Sequence, residues 1–98
     1  MIMLTWVLYD IKEDKTRNKV AKACLESGIY RVQYSVFLGD LNKTQVKELL
    51  LKIEDLCDEE TDSVYVFPMC KEDFKSCVLF GQAFDKDLIT DEVRALFL

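Results

Sequence analysis

The stretch LTWVLYDIKEDKTRNKV, residues 4–20, decides the fold prediction. Of residues 1–9 only Thr5 is polar, which is typical of a β-strand buried on both faces. The strand then ends on an acid, Asp10, and a helix pattern begins a few residues later. Asp is a common turn residue, so the acid has an ordinary structural explanation unless the rest of the chain provides another.

The rest of the chain alternates between helix and strand patterns. Periodicity predicts a helix over 14–27, a strand over 30–39, a helix over 41–57, and strands over 63–68 and 77–81. Asp14 is a plausible N-cap of the first helix, Gly28 its stop, and Asn42 with Gln45 resembles a capping box at the second. We interpret this pattern as the ferredoxin-like β-α-β-β-α-β arrangement, although the predicted elements give only one strand between the two helices. The predicted fold is therefore α+β, with one ferredoxin-like domain over residues 1–81 and a C-terminal strand or helix extension over 82–98.

Composition limits the chemistry of this 98-residue chain, which is 50% hydrophobic and long enough for one compact domain. It has no His, and its four Cys form no C-x-x-C pair, which disfavours a zinc site or a Cys–His nucleophile. Scattered Cys of this kind indicate small buried side chains in a reducing cytoplasm. The apolar N-terminus is about half as long as a transmembrane helix. We therefore expect a cytoplasmic protein without membrane association.

The charge is distributed unevenly. Residues 1–52 carry a balance of +3 and residues 53–98 a balance of −8, which gives the net charge of −5. The overall sign argues against a simple electrostatic grip on nucleic acid. The basic half can still meet phosphate if the fold separates it from the acidic half. Ordinary solvated surface is the alternative interpretation.

The first strand is apolar on both sides: Ile2, Leu4, Trp6 and Leu8 alternate with Met3, Val7 and Tyr9. In a ferredoxin-like sheet the helices cover only one face, so the other apolar face needs another cover. A twofold-related second copy that stacks its own sheet there is the simplest cover. The sequence therefore predicts a homodimer that associates sheet to sheet.

Arg17 is unusual because it falls on the apolar stripe of the first helix, in the turn nearest Asp10. Its long side chain either extends to solvent or points to the same place as Asp10. Periodicity alone leaves both interpretations open.

The segment VLYDIKEDKTRNKVAKACLESGIYRVQYSVFLGDL, residues 7–41, resembles the signature of the Cas2 family of small CRISPR-associated adaptation proteins. That pattern has an apolar strand ending in Tyr-Asp, a polar turn, an Arg-rich helix start and an R-[VI]-Q-Y-S-V-F strand. The resemblance is close over residues 2–39 and looser to about residue 81. Leu38 departs from it, because many members carry Glu at that position.

The resemblance implies a homodimer with an Asp10 on either side of the twofold axis. It also implies a magnesium-dependent endonuclease, acting on single-stranded RNA or double-stranded DNA, in spacer acquisition for antiviral defence. Because the chain lacks His, a Mg²⁺ held by the two Asp10 carboxylates is the expected source of activated water. Arg17 and Arg31 are then expected as phosphate clamps. Tyr9 and Phe37 are expected to stack on a base, line the dimer seam or pack in the core.

The same resemblance implies an alternative, in which the dimer is a non-catalytic adaptor that holds spacer DNA and bridges CRISPR integrase subunits. In that case Lys15, Lys19 and Lys22, together with the two arginines, contact backbone phosphates without reading sequence. The amphipathic tail over 89–98 would dock on its own dimer or on a partner. A small-molecule sensor, an acylphosphatase or an RNA-recognition domain of the same topology fits less well, because the glycines follow elements as stops and the net charge is acidic.

Overall fold

A four-stranded antiparallel sheet forms the centre of the computed structural model, which describes residues 2–81. In chain order the elements are β1 (Ile2–Asp10), α1 (Asp14–Glu26), β2 (Tyr30–Gln33), β3 (Val36–Asn42), α2 (Lys43–Leu56), β4 (Ser63–Met69) and α3 (Lys71–Lys75). The strand order is β2-β3-β1-β4, and every neighbouring pair is antiparallel. The α+β prediction is confirmed. The predicted extension over 82–98 lies outside the described residues.

Two of the predicted strands need correction. The predicted strand over 30–39 is a hairpin, β2 and β3, joined by a turn at Tyr34 and Ser35. Alternation of apolar residues continued through the turn and concealed it, although Tyr34 is 75% exposed. The predicted strand over 77–81 is wrong: the short helix α3 precedes it, residues 77–80 have no regular secondary structure, and β4 is the fourth strand. A short apolar run has too little periodicity to distinguish a strand from an exposed segment.

The helix ends follow ordinary capping chemistry, with one correction. Asn42 and Gln45 form the predicted capping box on α2, with reciprocal hydrogen bonds of 2.8 Å. Gly28 ends α1 in the left-handed region at φ +91°, as predicted. The prediction for Asp14 is wrong, because Glu13 is the N-cap of α1 and forms no side-chain cap hydrogen bond.

The two long helices cover one face of the sheet, called here the helix-side face. Its core joins buried side chains of β1, β3 and both helices, among them Val7, Tyr9, Val20, Cys24, Phe37, Leu41, Leu49 and Ile53. Gly39 of β3 allows the chain to pass close by, since a Cβ there would lie 2.6 Å from Ile29 Cγ2. This packing joins α1 and α2 to the helix-side face of the sheet. None of the helices in the described part of the chain has the length and hydropathy to cross a bilayer.

The opposite side of the sheet is called here the open face. Register pairs Trp6 with Leu38 and Phe67, which places their side chains on this same face. The open face is made of Leu4, Trp6, Leu8, Tyr30, Val32, Val36, Leu38, Tyr65, Phe67 and Met69. Helix α3 covers part of it through Phe74, whose ring centroid lies 6.0 Å from that of Trp6. The prediction that β1 is apolar on both faces is confirmed.

Candidate functional site

Asp10 is the last residue of β1 and pairs in register with Ser63 of β4. Since successive side chains of a strand alternate, Asp10 follows Leu8 to the open-face side of the sheet, whereas Tyr9 points to the helices. The Asp10 side chain is 75% exposed, and its Oδ2 lies 3.8 Å from Lys12 Nζ. An accessible carboxylate thus stands at the rim of an otherwise largely apolar face.

Tyr9 and Phe37 lie inside the helix-side core. Phe37 is fully buried and Tyr9 is 6% exposed, and their rings stack with centroids 6.2 Å apart. The Tyr9 hydroxyl donates to the Tyr34 carbonyl at 3.2 Å, and burial raises the pKa of Tyr9. Both rings therefore pack the core, on the face away from a sheet-to-sheet dimer seam. Base stacking by either ring stays a prediction, and their burial weighs against it.

Arg31 of β2 lies beside these two rings. Its guanidinium carbon is 5.1 Å from the centroid of the Phe37 ring, and its charge acts on Tyr9 and on Cys24. The Arg31 Nε is buried and has no hydrogen-bond partner within residues 2–81. A buried donor of this kind is costly to leave unpaired, and the Tyr9 side chain lies within hydrogen-bonding reach of the same guanidinium.

Arg17 occupies the first turn of α1, as its spacing predicts. Its guanidinium pairs with Asp14, and its Nη1 donates to the carbonyl of Ile11 at 3.5 Å. Arg17 therefore contacts the loop directly after Asp10, but neither arginine forms an ion pair with Asp10 in the described part of the chain. The structure groups Arg17 and Arg31 near Tyr9 on the helix side, and it places Asp10 on the other side of the strand.

The lysines of α1 face solvent. Lys15, Lys19 and Lys22 are exposed, and their spacing places them along one side of the helix. Lys19 and Lys22 line a groove of about 320 Å³ between α1 and α2, together with Lys52, Asp55 and other residues. Lys22 also pairs with Glu26 at 3.9 Å. These exposed ammonium groups can meet phosphate, although Lys22 would have to leave Glu26 and acids share the groove.

Two residues near Asp10 escaped the sequence analysis, namely Lys12 and Asp62. Asp62 Oδ1 accepts the backbone N–H of Lys12 at 3.2 Å, and Oδ2 accepts that of Asp58 at 3.0 Å. The N–H of Asp58 and then that of Lys12 are the main causes that hold the pKa of Asp62 below its usual value. The position of Asp62 just before a strand was the only available signal, because its contact with Lys12 spans 50 residues of sequence.

The donor set at Asp10 is incomplete within one chain. Among the described residues, no group of three or more His, Cys, Asp or Glu is placed to hold a metal ion. Magnesium binds through one or two carboxylates and keeps several waters, so the exposed Asp10 carboxylate fits as one part of such a site. The remaining ligands would have to come from a second chain or from a bound nucleic acid.

Comparison with known proteins identifies the family. Residues 3–77 match the family model described as CRISPR associated protein Cas2. The chain belongs to the Cas2 family. Two Cas2 relatives, both named CRISPR-associated endoribonuclease, are 38% identical over 73 residues in Desulforudis audaxviator and 34% identical over 79 residues in Chloroflexus aurantiacus. These alignments cover 74% and 81% of this chain, and 69% and 93% of the relatives.

Solved Cas2 structures share the architecture. Cas2 of Streptococcus pyogenes superposes with a TM-score of 0.67 at 27% identity, covering 81% of this chain and all of that one. A second Cas2 crystal structure gives a TM-score of 0.65 at 28% identity, covering 92% of this chain and 97% of the other. The Cas2 family match runs from β1 through α3, so it includes Asp10, both arginines and the lysines of α1.

Proposed function

We propose that this Cas2-family protein is a magnesium-dependent endonuclease of CRISPR antiviral defence, and that two chains share the metal through their Asp10 carboxylates. The observation that carries the proposal is the exposed Asp10 at the rim of the open face. A turn residue would need no particular surroundings. An exposed carboxylate beside an apolar face that lacks a full cover supports a metal site shared with a second chain across a twofold axis.

The open face supports the dimer. Tyr65 and Phe67 remain 55% and 49% exposed on it, and their rings stack with centroids 6.3 Å apart. Exposed aromatic side chains in a contiguous apolar area are typical of protein interfaces. The element order β-α-β-β-α-β and the strand order β2-β3-β1-β4 further support a ferredoxin-like domain, in which helices leave one sheet face free for a second copy.

In phosphodiester hydrolysis, different residues of this chain would bind the metal ion and the phosphate. A bound Mg²⁺ supplies charge neutralisation at the phosphate and lowers the pKa of a coordinated water. Asp10 would hold the ion in place of its present ion-pair partner Lys12, whose Nζ lies 3.8 Å from Asp10 Oδ2. Arg31 and Arg17 bind phosphate oxygens from the helix side, so the substrate backbone passes around the end of β1. For Arg17 this requires exchange of its Asp14 partner for phosphate.

Single-stranded RNA is the substrate to test first, since relatives at 34–38% identity carry the name endoribonuclease. Double-stranded DNA is the second substrate of the proposal. The adaptor role, with an integrase partner and a part in spacer acquisition, stays a prediction. No observation on the described residues favours it over cleavage, although the exposed lysines of α1 serve either role by contacting backbone phosphates.

Asp10→Asn tests the proposal, since it keeps the size of the side chain and its ability to form a turn while removing the charge. We expect metal-dependent RNA cleavage to fall by more than about a hundredfold, because loss of a group that merely orients a metal ligand typically costs about ten- to a hundredfold. Chelation of the wild-type metal should have the same effect.

Asp40→Asn is the matched control. Asp40 is an exposed acid on the open-face side of β3, beside Leu4 at the far end of β1 from Asp10. The Asp40→Asn protein should cleave RNA at the wild-type rate. Wild-type cleavage by Asp10→Asn would instead return Asp10 to the role of a turn residue.

A further inference from the structure

Asp62 connects two segments that lie far apart in sequence. It directly precedes Ser63, the register partner of Asp10, so it stands beside the point where β1 leaves the sheet. Its two carboxylate oxygens accept one backbone N–H each, from Lys12 in the β1–α1 loop and from Asp58 in the α2–β4 turn. Through these two hydrogen bonds, the Asp62 carboxylate ties the β1–α1 loop to the α2–β4 turn.

The turn that carries Asp62 is well ordered by its own hydrogen bonds. The N–H groups of Thr61 and Asp62 donate to the Asp58 carbonyl at 3.2 and 2.8 Å, and the N–H of Glu60 donates to Asp58 Oδ1 at 2.9 Å. These hydrogen bonds restrict the movement of the turn. Because the Asp62 carboxylate accepts the Lys12 N–H, the turn also restrains the neighbouring β1–α1 loop.

The β1–α1 loop has four attachments to the rest of the fold. Ile11 is buried in the helix-side core, and its carbonyl accepts from Arg17. Lys12 is attached through its N–H to Asp62, and its ammonium approaches Asp10. Of these attachments, only the Lys12–Asp62 hydrogen bond holds the loop backbone on the β4 side. Without Asp62, the backbone between Asp10 and α1 loses that restraint.

We propose that Asp62 is a positioning residue for Asp10: by holding the Lys12 amide it fixes the loop that orients the Asp10 carboxylate and the Lys12 ammonium. This inference rests on the proposed function, in which Asp10 binds Mg²⁺. Asp62 acts through the loop and contacts neither metal nor substrate.

The test compares Asp62→Ala and Asp62→Asn with Glu59→Gln, which removes one charge from an exposed acid of the same turn. Asp62→Ala loses both acceptors. Asp62→Asn keeps one acceptor and offers an NH₂ group where the second N–H needs an oxygen, so it should give a smaller effect of the same kind. Circular dichroism and thermal unfolding select variants that remain folded, and Asp62→Asn supplies the result if Asp62→Ala does not fold.

The first readout is amide hydrogen exchange by NMR, which needs neither metal nor substrate. Exchange of the Lys12 amide should accelerate about fivefold in Asp62→Ala, the effect of losing one hydrogen bond worth about 1 kcal/mol. The ¹³C shift of the Asp10 carboxyl should also move in the metal-free protein. Glu59→Gln should leave both signals unchanged. Unchanged Lys12 exchange or an unchanged Asp10 shift in Asp62→Ala overturns the proposal.

The second readout is a Mg²⁺ titration followed by the same Asp10 signal, with RNA cleavage measured alongside. We expect the apparent affinity for Mg²⁺ to weaken about tenfold in Asp62→Ala and cleavage to fall in parallel. Faster Lys12 exchange with wild-type Mg²⁺ affinity would overturn the positioning role. If wild-type Asp10 shows no response to Mg²⁺, the proposed function fails, whereas the exchange and shift measurements still decide whether Asp62 positions Asp10.

Discussion

At the scale of single residues, the last two side chains of β1, Tyr9 and Asp10, lie on opposite faces of the sheet. Tyr9 is directed into the helix-side core and Asp10 to the opposite side, because neighbouring residues of a strand point in opposite directions. Arg31 and Arg17 lie on the Tyr9 side. A phosphate held by these arginines and a metal held by Asp10 must therefore meet beyond the strand end and not on either face.

Thiol reactivity tests the residue-scale packing. Burial raises the pKa of Cys24 to about 12, so this thiol should stay protonated and unreactive even at pH 9. Cys70 and Cys77 are exposed and should be alkylated by iodoacetamide before Cys24 reacts. Mass spectrometry of the native protein after labelling gives the pattern. Labelling of Cys24 as fast as Cys70 would contradict the buried position of α1 against the sheet.

At the scale of secondary-structure elements, the start of α2 is the best-defined helix end. Asn42 accepts the Gln45 N–H, and the Gln45 side chain accepts the Asn42 N–H. Asn42→Ala removes the side chain that accepts the Gln45 N–H. We therefore expect a loss of about 1 kcal/mol in the free energy of unfolding, measured by urea denaturation.

Asn18→Ala is the control for that measurement, because Asn18 is exposed on α1. It should change the unfolding free energy by no more than about 0.5 kcal/mol. An Asn42→Ala variant as stable as Asn18→Ala would show that the capping box contributes nothing.

The predictability of the fold varied from element to element. Strong periodicity located β1, α1 and α2 and identified the capping box at Asn42. The β2–β3 hairpin was missed because Tyr34 and Ser35 carry no Gly, Asn or Asp signal for a tight turn. Helix α3 was missed because its five residues are too few for a helical period.

The candidate site was predictable in part. A strand ending in Asp10 and an arginine in the next helical turn followed from local sequence. That Arg17 and Arg31 lie across the strand from Asp10 depends on the face each element presents, which periodicity did not give for Arg31. The Lys12–Asp62 hydrogen bond depends on strand pairing between β1 and β4, a long-range contact that a local pattern does not contain.

At the scale of the whole molecule, the open face is the feature that a single chain leaves unfinished. Phe74 of α3 covers the part around Trp6, while Tyr65 and Phe67 stay half exposed. A second copy stacked there would bury these rings and bring the two Asp10 carboxylates toward the twofold axis.

Phe67→Glu tests this association by placing a charge on the open face, where burial without a partner is costly. Light scattering at micromolar concentration should give about twice the chain mass of 11.4 kDa for the wild type and a single chain mass for the variant. Leu51→Glu is the control, because Leu51 is also an exposed apolar residue, on α2 and away from the open face. A monomeric wild type would remove the shared metal site.

The shared site itself is tested most directly by mixing wild-type and Asp10→Asn chains, allowing subunits to exchange, and measuring magnesium-dependent RNA cleavage at each ratio. If one metal needs both carboxylates, mixed dimers are inactive, and cleavage falls with the square of the wild-type fraction, to about a quarter in an equal mixture. If each Asp10 acts alone, cleavage falls linearly, to about half in the equal mixture. A metal ion shared by both Asp10 carboxylates predicts the quadratic curve, and a linear curve would contradict the shared site.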